Sequence, residues 1–272
     1  MFYVRVFWMF FRNSLIREMT FRGNFLIQVT TRLFWFAAQI ALFRIIYRQV
    51  SFIREWNEDQ YFVFMSTGML INAIVEAFFM PNCAEFSEKI RTGRLDFALI
   101  RPIDTQFLVS LERVNVAMFS QILLAIWLLV HSLWRIGQPI SALQLAAYLF
   151  YVAVGIVFFY SLMIATACTS IFLGRNQGLY DFWFYITVFA RYPASIYDGR
   201  SPGSLEPGEA IQFLFSWILP ILLVITIPSQ LIVGTLMDWR MAVVSLVASL
   251  AGLVLARQVF QWSLNQYRSA GS

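Results

Sequence analysis

Long apolar runs separated by short polar stretches make up most of this 272-residue chain. Several runs reach the roughly 20 residues that a helix needs to cross about 30 Å of hydrocarbon. The longest polar stretch covers only about 25 residues, which is too short for a soluble domain of ordinary size. The pattern therefore predicts an all-α, polytopic membrane protein whose single transmembrane domain spans residues 1–272.

We predict six transmembrane helices, with the fifth reaching Tyr197 in its longer form. In chain order the predicted spans are Asn24–Tyr47, Asp59–Met80, Phe107–Leu133, Ala142–Leu173, Leu179–Phe189 and Met241–Phe260. A segment over residues 1–22 precedes them and combines four arginines with many aromatic side chains. Such a segment is typical of a helix that lies in the membrane surface.

The segment Ile211–Val233 is apolar enough to cross the membrane, but it contains Pro220 and Pro228. Proline frees backbone groups that lipid cannot satisfy, so a broken segment usually stays inside protein. We therefore expect residues 199–233 to form an outer loop followed by a re-entrant helical hairpin, before the last span.

Composition narrows the class of protein further. Hydrophobic residues make up 60% of the chain and charged residues only 13%, about half the share of a soluble domain. The net charge of +5 is almost entirely arginine, and the arginines are scattered, which favours a topological signal over nucleic-acid binding. With one histidine and two cysteines, no spacing typical of a metal site occurs.

The distribution of basic residues predicts the orientation. Residues 1–22 carry four arginines, residues 81–106 carry four lysines and arginines, and Arg175 lies in the next loop on the same side. Cytoplasmic loops are enriched in these residues. We therefore expect a multi-pass protein of the cell membrane with both termini in the cytoplasm.

A charged insert at residues 82–104 lies between the second and third predicted spans. Asn82 is expected to cap a helix there, with the Glu85 side chain bonding back to the N–H of the cap. Gly93 predicts the end of this helix, and Leu95–Ile100 forms a second short turn. The result is a short helix lying across the ends of two spans.

The same insert helix is predicted to be amphipathic. Phe86 and Ile90 lie four residues apart and form a small apolar ridge, which Glu88, Lys89 and Arg91 flank. From these residues alone, two interpretations stay open. The insert is either an ordinary cytoplasmic loop or a surface that contacts a soluble partner.

Three segments follow one another along the chain in an order that resembles a known family. Residues 89–102 read Lys-Ile-Arg-Thr-Gly-Arg-Leu-Asp-Phe-Ala-Leu-Ile-Arg-Pro, and residues 189–197 read Phe-Ala-Arg-Tyr-Pro-Ala-Ser-Ile-Tyr. Residues 219–234 read Leu-Pro-Ile-Leu-Leu-Val-Ile-Thr-Ile-Pro-Ser-Gln-Leu-Ile-Val-Gly. Together they resemble the permeases of type-2 ABC exporters, in their six-span branch, and the first segment is similar to the first cytoplasmic loop.

The resemblance implies a permease that pairs with a second permease chain, identical or related, and with nucleotide-binding ATPase subunits that carry ATP and Mg. The N-terminal helix would be the connecting helix of the membrane surface, and the insert would be the coupling helix. The residues that would then contact the ATPase are Glu85, Phe86, Glu88, Lys89, Ile90, Arg91, Gly93 and Arg94. The prolines that would lie at an outer gate are Pro193, Pro220 and Pro228.

Polar side chains within the first two spans predict a buried cluster. Gln28, Arg32 and Gln39 share one face of span one, and Asn72 and Glu76 share one face of span two. A charge inside the membrane is normally paired or faces a cavity. In a hairpin, Arg32 and Glu76 lie within about one helical turn of the same depth, so we expect ion-pair or water-bridged contact. The cluster would serve either as a fixed structural pair or as a polar wall of a transport pathway.

These observations predict the permease subunit of an ATP-driven exporter, with an amphipathic or lipid-like cargo. The sequence has a single lysine, Lys89, which follows Glu88, so the Gly-Lys-Ser/Thr of a phosphate-binding P-loop is absent. ATP hydrolysis is therefore expected in a partner chain, and this chain is not predicted to be an enzyme. The alternative is a proton-coupled secondary transporter that uses Arg32 and Glu76.

Overall fold

A computed structural model describes residues 2–173, 183–185, 187–188, 190–193, 214–218, 220–235 and 238–267. Within these ranges the regular secondary structure is helical and contains no strand. The helices are α1 (Phe2–Thr20), α2 (Arg22–Gln49), α3 (Glu58–Phe78), α4 (Met80–Arg91), α5 (Arg94–Leu99), α6 (Thr105–Leu111), α7 (Met118–Ile136), α8 (Ala142–Cys168), α9 (Ser170–Leu173), α10 (Ile221–Val233) and α11 (Trp239–Gln266). The all-α prediction is confirmed.

Five helical segments of the described ranges are long and apolar enough to cross a membrane. They are Arg22–Gln49, Glu58–Arg91, Met118–Ile136, Ala142–Phe172 and Trp239–Gln266. Four of the six predicted spans agree with these segments, and the third agrees only in its second half. Most of the remaining span, Leu179–Phe189, lies outside the described residues.

The start of the insert helix differs from the prediction. Helix α4 begins at Met80, and only Phe79 separates it from α3, so Asn82 does not cap a helix and the box with Glu85 is absent. Pro81 is tolerated because it lies in the first turn, where its missing N–H needs no partner. The second predicted span and the insert helix therefore form one nearly continuous helical segment.

The third predicted span, Phe107–Leu133, is not one helix. Helix α6 ends at Leu111, and α7 begins only at Met118. The buried carboxamide of Asn82 fills this break: its nitrogen donates to the carbonyls of Ser110 and Arg113, and its oxygen accepts from the Arg113 N–H. These bonds replace the helical hydrogen bonds that are missing between α6 and α7. Asn82 of α4 therefore stabilises this break, and the residues next to the break in sequence do not reveal it.

Helix α3 lies at the centre of the bundle, packed along α7 and against α8 and α10. Gly155 of α8 allows the closest approach: a Cβ there would lie 3.0 Å from Ile71 Cδ1 and 3.0 Å from the Val224 carbonyl. Helix α8 also packs along α11. The core is therefore formed by α3, α7, α8, α10 and α11.

Helix α10 corresponds to the second half of the predicted re-entrant hairpin. It has 13 residues, is buried on nearly all sides and contains Pro228. At 1.5 Å per residue it is roughly 20 Å long, which is short of the hydrocarbon thickness. In the first half of the predicted hairpin, Leu214–Ile218 forms a short π-helix, and residues 211–213 and 219 lie outside the described residues, as does the predicted outer loop from residue 199 onward.

Helix α2 differs from the core helices in its exposure. Only Phe36 and Tyr47 of its 28 residues are buried, and its contacts with α3 and α7 are sparse. Helix α1 precedes it and contacts the bundle through Ser14, whose hydroxyl accepts from the Val114 N–H at 3.0 Å. The weak packing of α2 leaves a groove between it and the rest of the bundle.

Candidate functional site

Three adjoining cavities lie between α2, α3, the start of α7 and a set of described side chains further along the chain, namely Trp183, Phe184, Thr187, Ala190, Arg191 and Tyr192. Their volumes are about 190, 580 and 620 Å³. Glu76 and Arg191 line all three, and Arg32 and Gln121 each line two. Because the cavities share these side chains, they form one groove, which we call the α2 groove.

The α2 groove extends along most of α3. Its lining begins at Phe64 and reaches Pro81, 17 residues further along the chain. That separation corresponds to roughly 25 Å along a helix, close to the thickness of the hydrocarbon layer. The groove is thus long enough to connect the two sides of a membrane.

A hydrogen-bonded network lies where the three cavities meet. Arg32 Nη1 donates to Gln121 Oε1 at 2.9 Å and lies 3.5 Å from Glu76 Oε2. Trp183 Nε1 donates to Glu76 Oε1 at 3.2 Å. The predicted contact between Arg32 and Glu76 is therefore present. Gln121 and Trp183 were missed because neither belongs to the predicted hairpin of spans one and two.

The polar groups of the α2 groove are incompletely satisfied. Arg32 Nε and Asn72 Oδ1 are buried and have no hydrogen-bond partner among the described residues. Gln39 lines two of the cavities, whereas the half-buried Gln28 lines none of them. The sequence placed Arg32, Gln39, Asn72 and Glu76 on suitable faces, and the structure brings these four to one groove.

The charged insert contains a second, denser polar network. Lys89 is buried and forms an ion pair with Glu112 in the break between α6 and α7. Glu85 pairs with Arg113 at 2.6 Å and lies 3.5 Å from Arg94. Lys89 was predicted to flank an exposed ridge, and this placement is wrong because α4 turns the lysine toward the break.

The apolar ridge of the insert helix also faces inward. Phe86 is fully buried, with its ring 6.0 Å from that of Phe260 in α11, and Ile90 packs against the core. An outward ridge formed by these two residues is therefore contradicted. Since α4 continues α3, its apolar stripe stays in phase with the core instead of turning to the aqueous side.

The exposed side chains of the insert lie further along, on and around α5. Phe97 is 65% exposed and Ile100 is 79% exposed. Three exposed arginines lie close to them in sequence, and we call Arg91, Arg94, Phe97, Ile100 and Arg101 the insert surface. Gly93 was the residue in the sequence that could have located this surface. Its φ of +70° ends α4, and a new helix begins after it, so that Leu95 and Ala98 are the buried positions of α5.

Glu88 belongs to the insert but is held locally. Both of its carboxylate oxygens accept from the Arg91 guanidinium, at 3.0 and 2.8 Å, on the exposed side of α4. An exposed ion pair of this kind contributes little to stability, because water already solvates both charges. Glu88 therefore orients Arg91 more than it stabilises the fold.

Asp104 connects the insert to the last helix. Its carboxylate accepts from the Arg257 guanidinium at 2.6 and 3.1 Å and caps α6 by accepting from the Phe107 N–H at 3.0 Å. The hydrogen bond from Arg257, chiefly, holds the pKa of Asp104 below its ordinary value. Sequence reasoning missed this pair because 153 residues separate its members.

The three prolines expected at an outer gate occupy different places. Pro193 is buried and follows Tyr192, which lines the α2 groove. Pro220 immediately precedes α10, and Pro228 lies inside it. Over the described part of the chain, no cluster of three histidine, cysteine, aspartate or glutamate side chains could hold a metal ion.

Comparison with protein families identifies the chain. A family model described as ABC-2 family transporter protein matches residues 33–271. The chain belongs to this family. The matched region contains most of the α2 groove and all of the insert, and it confirms the resemblance to type-2 ABC permeases. No curated protein and no solved structure matches the chain.

Membership of the ABC-2 family makes this chain a multi-pass membrane permease of an ABC transporter. It does not favour the proton-coupled alternative built on Arg32 and Glu76. The permease of such a transporter is a transport subunit and not itself catalytic.

Proposed function

We propose that this ABC-2 family permease forms the substrate pathway of an exporter and that its insert surface binds a separate cytoplasmic ATPase subunit. ATP and Mg would be held by that partner, since the P-loop lysine is missing from this sequence. Two permease chains, identical or related, would assemble around the pathway, with both termini in the cytoplasm and the complex in the cell membrane.

The observation that carries this proposal is the insert surface itself. Phe97 and Ile100 expose large apolar side chains next to Arg91, Arg94 and Arg101. Apolar anchors surrounded by arginine are typical of the centre of a protein–protein interface. A loop that only connected two spans would have no reason to expose them on a segment otherwise rich in charge.

The insert is joined firmly to the helices that line the α2 groove. Asn82, Glu85 and Lys89 of α4 each bond to residues 110–113. That stretch leads directly into α7, which carries Gln121. A displacement of the insert would therefore reach the Arg32–Gln121 hydrogen bond through side-chain bonds and one helix.

This connection suggests how ATP would drive transport. Closure of two ATPase subunits would move the two insert surfaces together and favour one arrangement of the spans over the other. Arg32, Glu76 and Gln121 lie at the meeting point of the three cavities, so a shift of α7 relative to α2 would change the passage there. The polar groups of the groove would then form a wall of the pathway.

The proposal can be tested by isolating the tagged protein from its native membrane. We expect a P-loop ATPase subunit to co-purify with it, and we expect Ile100→Asp to abolish that association while the permease assembly stays intact. Ile140→Asp is the matched control, because Ile140 is also exposed but lies in the loop before α8. Recovery of the ATPase with Ile100→Asp, or of no ATPase with the native chain, would overturn the proposal.

The orientation needs its own measurement. Both native cysteines are buried, so a cysteine introduced at an exposed site can be labelled selectively. A membrane-impermeant maleimide should label Gln138→Cys in intact cells and Thr92→Cys only after permeabilisation. Labelling of Thr92→Cys from outside would place the insert on the wrong side of the membrane for an ATPase.

A further inference from the structure

We infer that the α2 groove binds an amphiphile with an anionic head group, which Arg32 and Arg191 contact while its apolar part lies along α2. The inference rests on the proposed function, because it names the chemical class that the pathway would carry. It concerns binding by this chain alone, so it can be tested without ATP and without a partner subunit.

The charge balance of the groove is the first argument. Among the described residues, the charged side chains that line the three cavities are Arg32, Glu76 and Arg191, which gives two positive charges and one negative charge. Glu76 is held by Trp183 and lies 3.5 Å from Arg32. Among the described carboxylates, none forms an ion pair with Arg191. The excess positive charge in a membrane-embedded cavity favours an anionic ligand.

Unused donors in the groove are the second argument. Arg32 uses Nη1 for Gln121, while its buried Nε has no partner among the described residues. A guanidinium has five N–H groups in a planar fork and binds carboxylate or phosphate through two of them. Two guanidinium groups with free donors therefore match the oxygens of a phosphate or carboxylate.

The shape and the remaining lining indicate an apolar part. The largest cavity, of about 620 Å³, is lined by Trp35, Phe36 and Leu42 from α2, together with Met69 and Phe184. Its volume is within the usual range of small-molecule sites. A small inorganic anion would leave this apolar surface uncovered, whereas an alkyl or lipid-like chain would cover it.

The exposure of α2 supplies a route of entry. Trp35 and Leu42 line the cavity and are also 62% and 54% exposed at the outside of the bundle. Because α2 packs only sparsely on α3 and α7, the groove opens sideways toward the surface that lipid would cover. An amphiphile could therefore pass from the bilayer into the groove head group first, until the head group reaches Arg32.

The test measures equilibrium binding to the purified full-length permease in nanodiscs of uncharged phosphatidylcholine. The labelled probe is dodecyl phosphate. The competitors of equal chain length are dodecyltrimethylammonium and dodecyl maltoside, and the head-group competitor is inorganic phosphate. We expect saturable binding of dodecyl phosphate with weak competition by the other three compounds. Equal competition by inorganic phosphate, or preference for the ammonium compound, would overturn the inference.

Two variants of the groove should change the affinity for dodecyl phosphate in opposite directions. Arg191→Gln should weaken dodecyl phosphate binding about tenfold, the usual effect of losing one charge-assisted hydrogen bond. Glu76→Gln should strengthen it several-fold, because it removes the negative charge that lines the groove among the described residues and leaves an acceptor for Trp183. Arg44→Gln is the control, since Arg44 lies on α2 but outside the lining of the groove and should leave binding unchanged.

The sign of the Glu76→Gln effect keeps the result interpretable, because a poorly folded variant cannot gain affinity. Weaker binding by both Arg191→Gln and Glu76→Gln would contradict an anionic ligand. A chain that recruits an ATPase but does not bind dodecyl phosphate would refute this inference and leave the proposed function standing. A chain that binds dodecyl phosphate but recruits no ATPase would refute the proposed function and leave this inference standing.

Discussion

The charged insert and the α2 groove both place polar side chains inside the protein, but they satisfy them to different degrees. In the insert, the Asn82 carboxamide makes four hydrogen bonds, and Lys89 is paired. In the groove, Arg32 makes one hydrogen bond and a looser ion pair, and Asn72 Oδ1 has no partner among the described residues.

This difference indicates different mechanical roles. A densely bonded polar network resists distortion, because each broken bond leaves a buried group unpaired. A partly bonded network has other arrangements of similar energy, and it keeps donors and acceptors for a ligand. The insert is therefore suited to transmit a displacement, and the groove is suited to respond to one.

The largest predicted effect concerns the bonds made by Asn82. Asn82→Ala removes a carboxamide that serves the carbonyls of Ser110 and Arg113 and the Arg113 N–H. We expect a loss of about 3 kcal/mol in the free energy of unfolding, since buried backbone groups would be left unpaired. Unfolding by SDS titration in micelles measures this loss.

Asn115→Ala is the matched control for Asn82→Ala. Asn115 lies in the same break, but its side-chain oxygen has no hydrogen-bond partner among the described residues. Its removal should cost less than about 1 kcal/mol. Equal losses for the two variants would show that the Asn82 bonds do not hold the insert to the break.

The next effect separates stability from partner binding within one helix. Lys89→Met leaves Glu112 unpaired and should destabilise the fold by about 2 kcal/mol. Arg91→Met changes an exposed side chain and should leave stability nearly unchanged, while weakening the proposed ATPase contact. Thermal unfolding and co-purification with the ATPase measure the two properties. A larger loss of stability in Arg91→Met than in Lys89→Met would reverse the assignment of inner and outer faces.

A smaller effect is expected at the ion pair between Asp104 and Arg257. Asp104→Asn keeps an acceptor to cap α6 but removes the charge, so it should cost about 0.5–1 kcal/mol near pH 7. The folded-state pKa of Asp104 is lowered, so its contribution is present above the ordinary pKa and is lost as the pH falls through the lowered one. The difference between variant and native chain should therefore stay constant from pH 8 to pH 5. A difference that disappears within that range would contradict the pairing.

The smallest effect is expected in the α2 groove. Asn72→Leu removes a carboxamide whose oxygen has no partner among the described residues, so stability should change by less than about 0.5 kcal/mol. Thr67→Val, on the same helix, removes a buried hydroxyl that contacts Tyr148 at 3.3 Å and should cost about 1 kcal/mol. Chemical denaturation of both variants in the same detergent gives the comparison. A large loss for Asn72→Leu would mean that the groove is held as firmly as the insert.

Much of the fold could be predicted from local pattern. The lengths of the apolar runs located the helices that begin at Arg22, Glu58, Ala142 and Trp239, because membrane thickness fixes the length of a span. The proximity of Arg32 and Glu76 was also predictable, since helical rise converts residue number into depth. The family resemblance of residues 89–102 was recognisable because these residues form one continuous segment of the sequence.

The outward face of the insert was not predictable in this way. An amphipathic pattern shows that Phe86 and Ile90 share a face, but it does not show whether that face meets water or protein. The Asn82 carboxamide bonds to residues up to 31 positions away, and Arg257 pairs with a residue 153 positions away. No local pattern records such partners.

By itself, the sequence determined that the chain is a helical membrane protein, where most of its long helices lie and that Arg32 and Glu76 come close, because hydrophobicity and helical geometry act over neighbouring residues. Only the tertiary structure decided that the predicted third span is interrupted, that Lys89 turns inward and that Phe97 and Ile100 form the exposed surface. Those outcomes depend on which side chains from distant segments form hydrogen bonds and ion pairs with one another. These partners come together only when the helices pack.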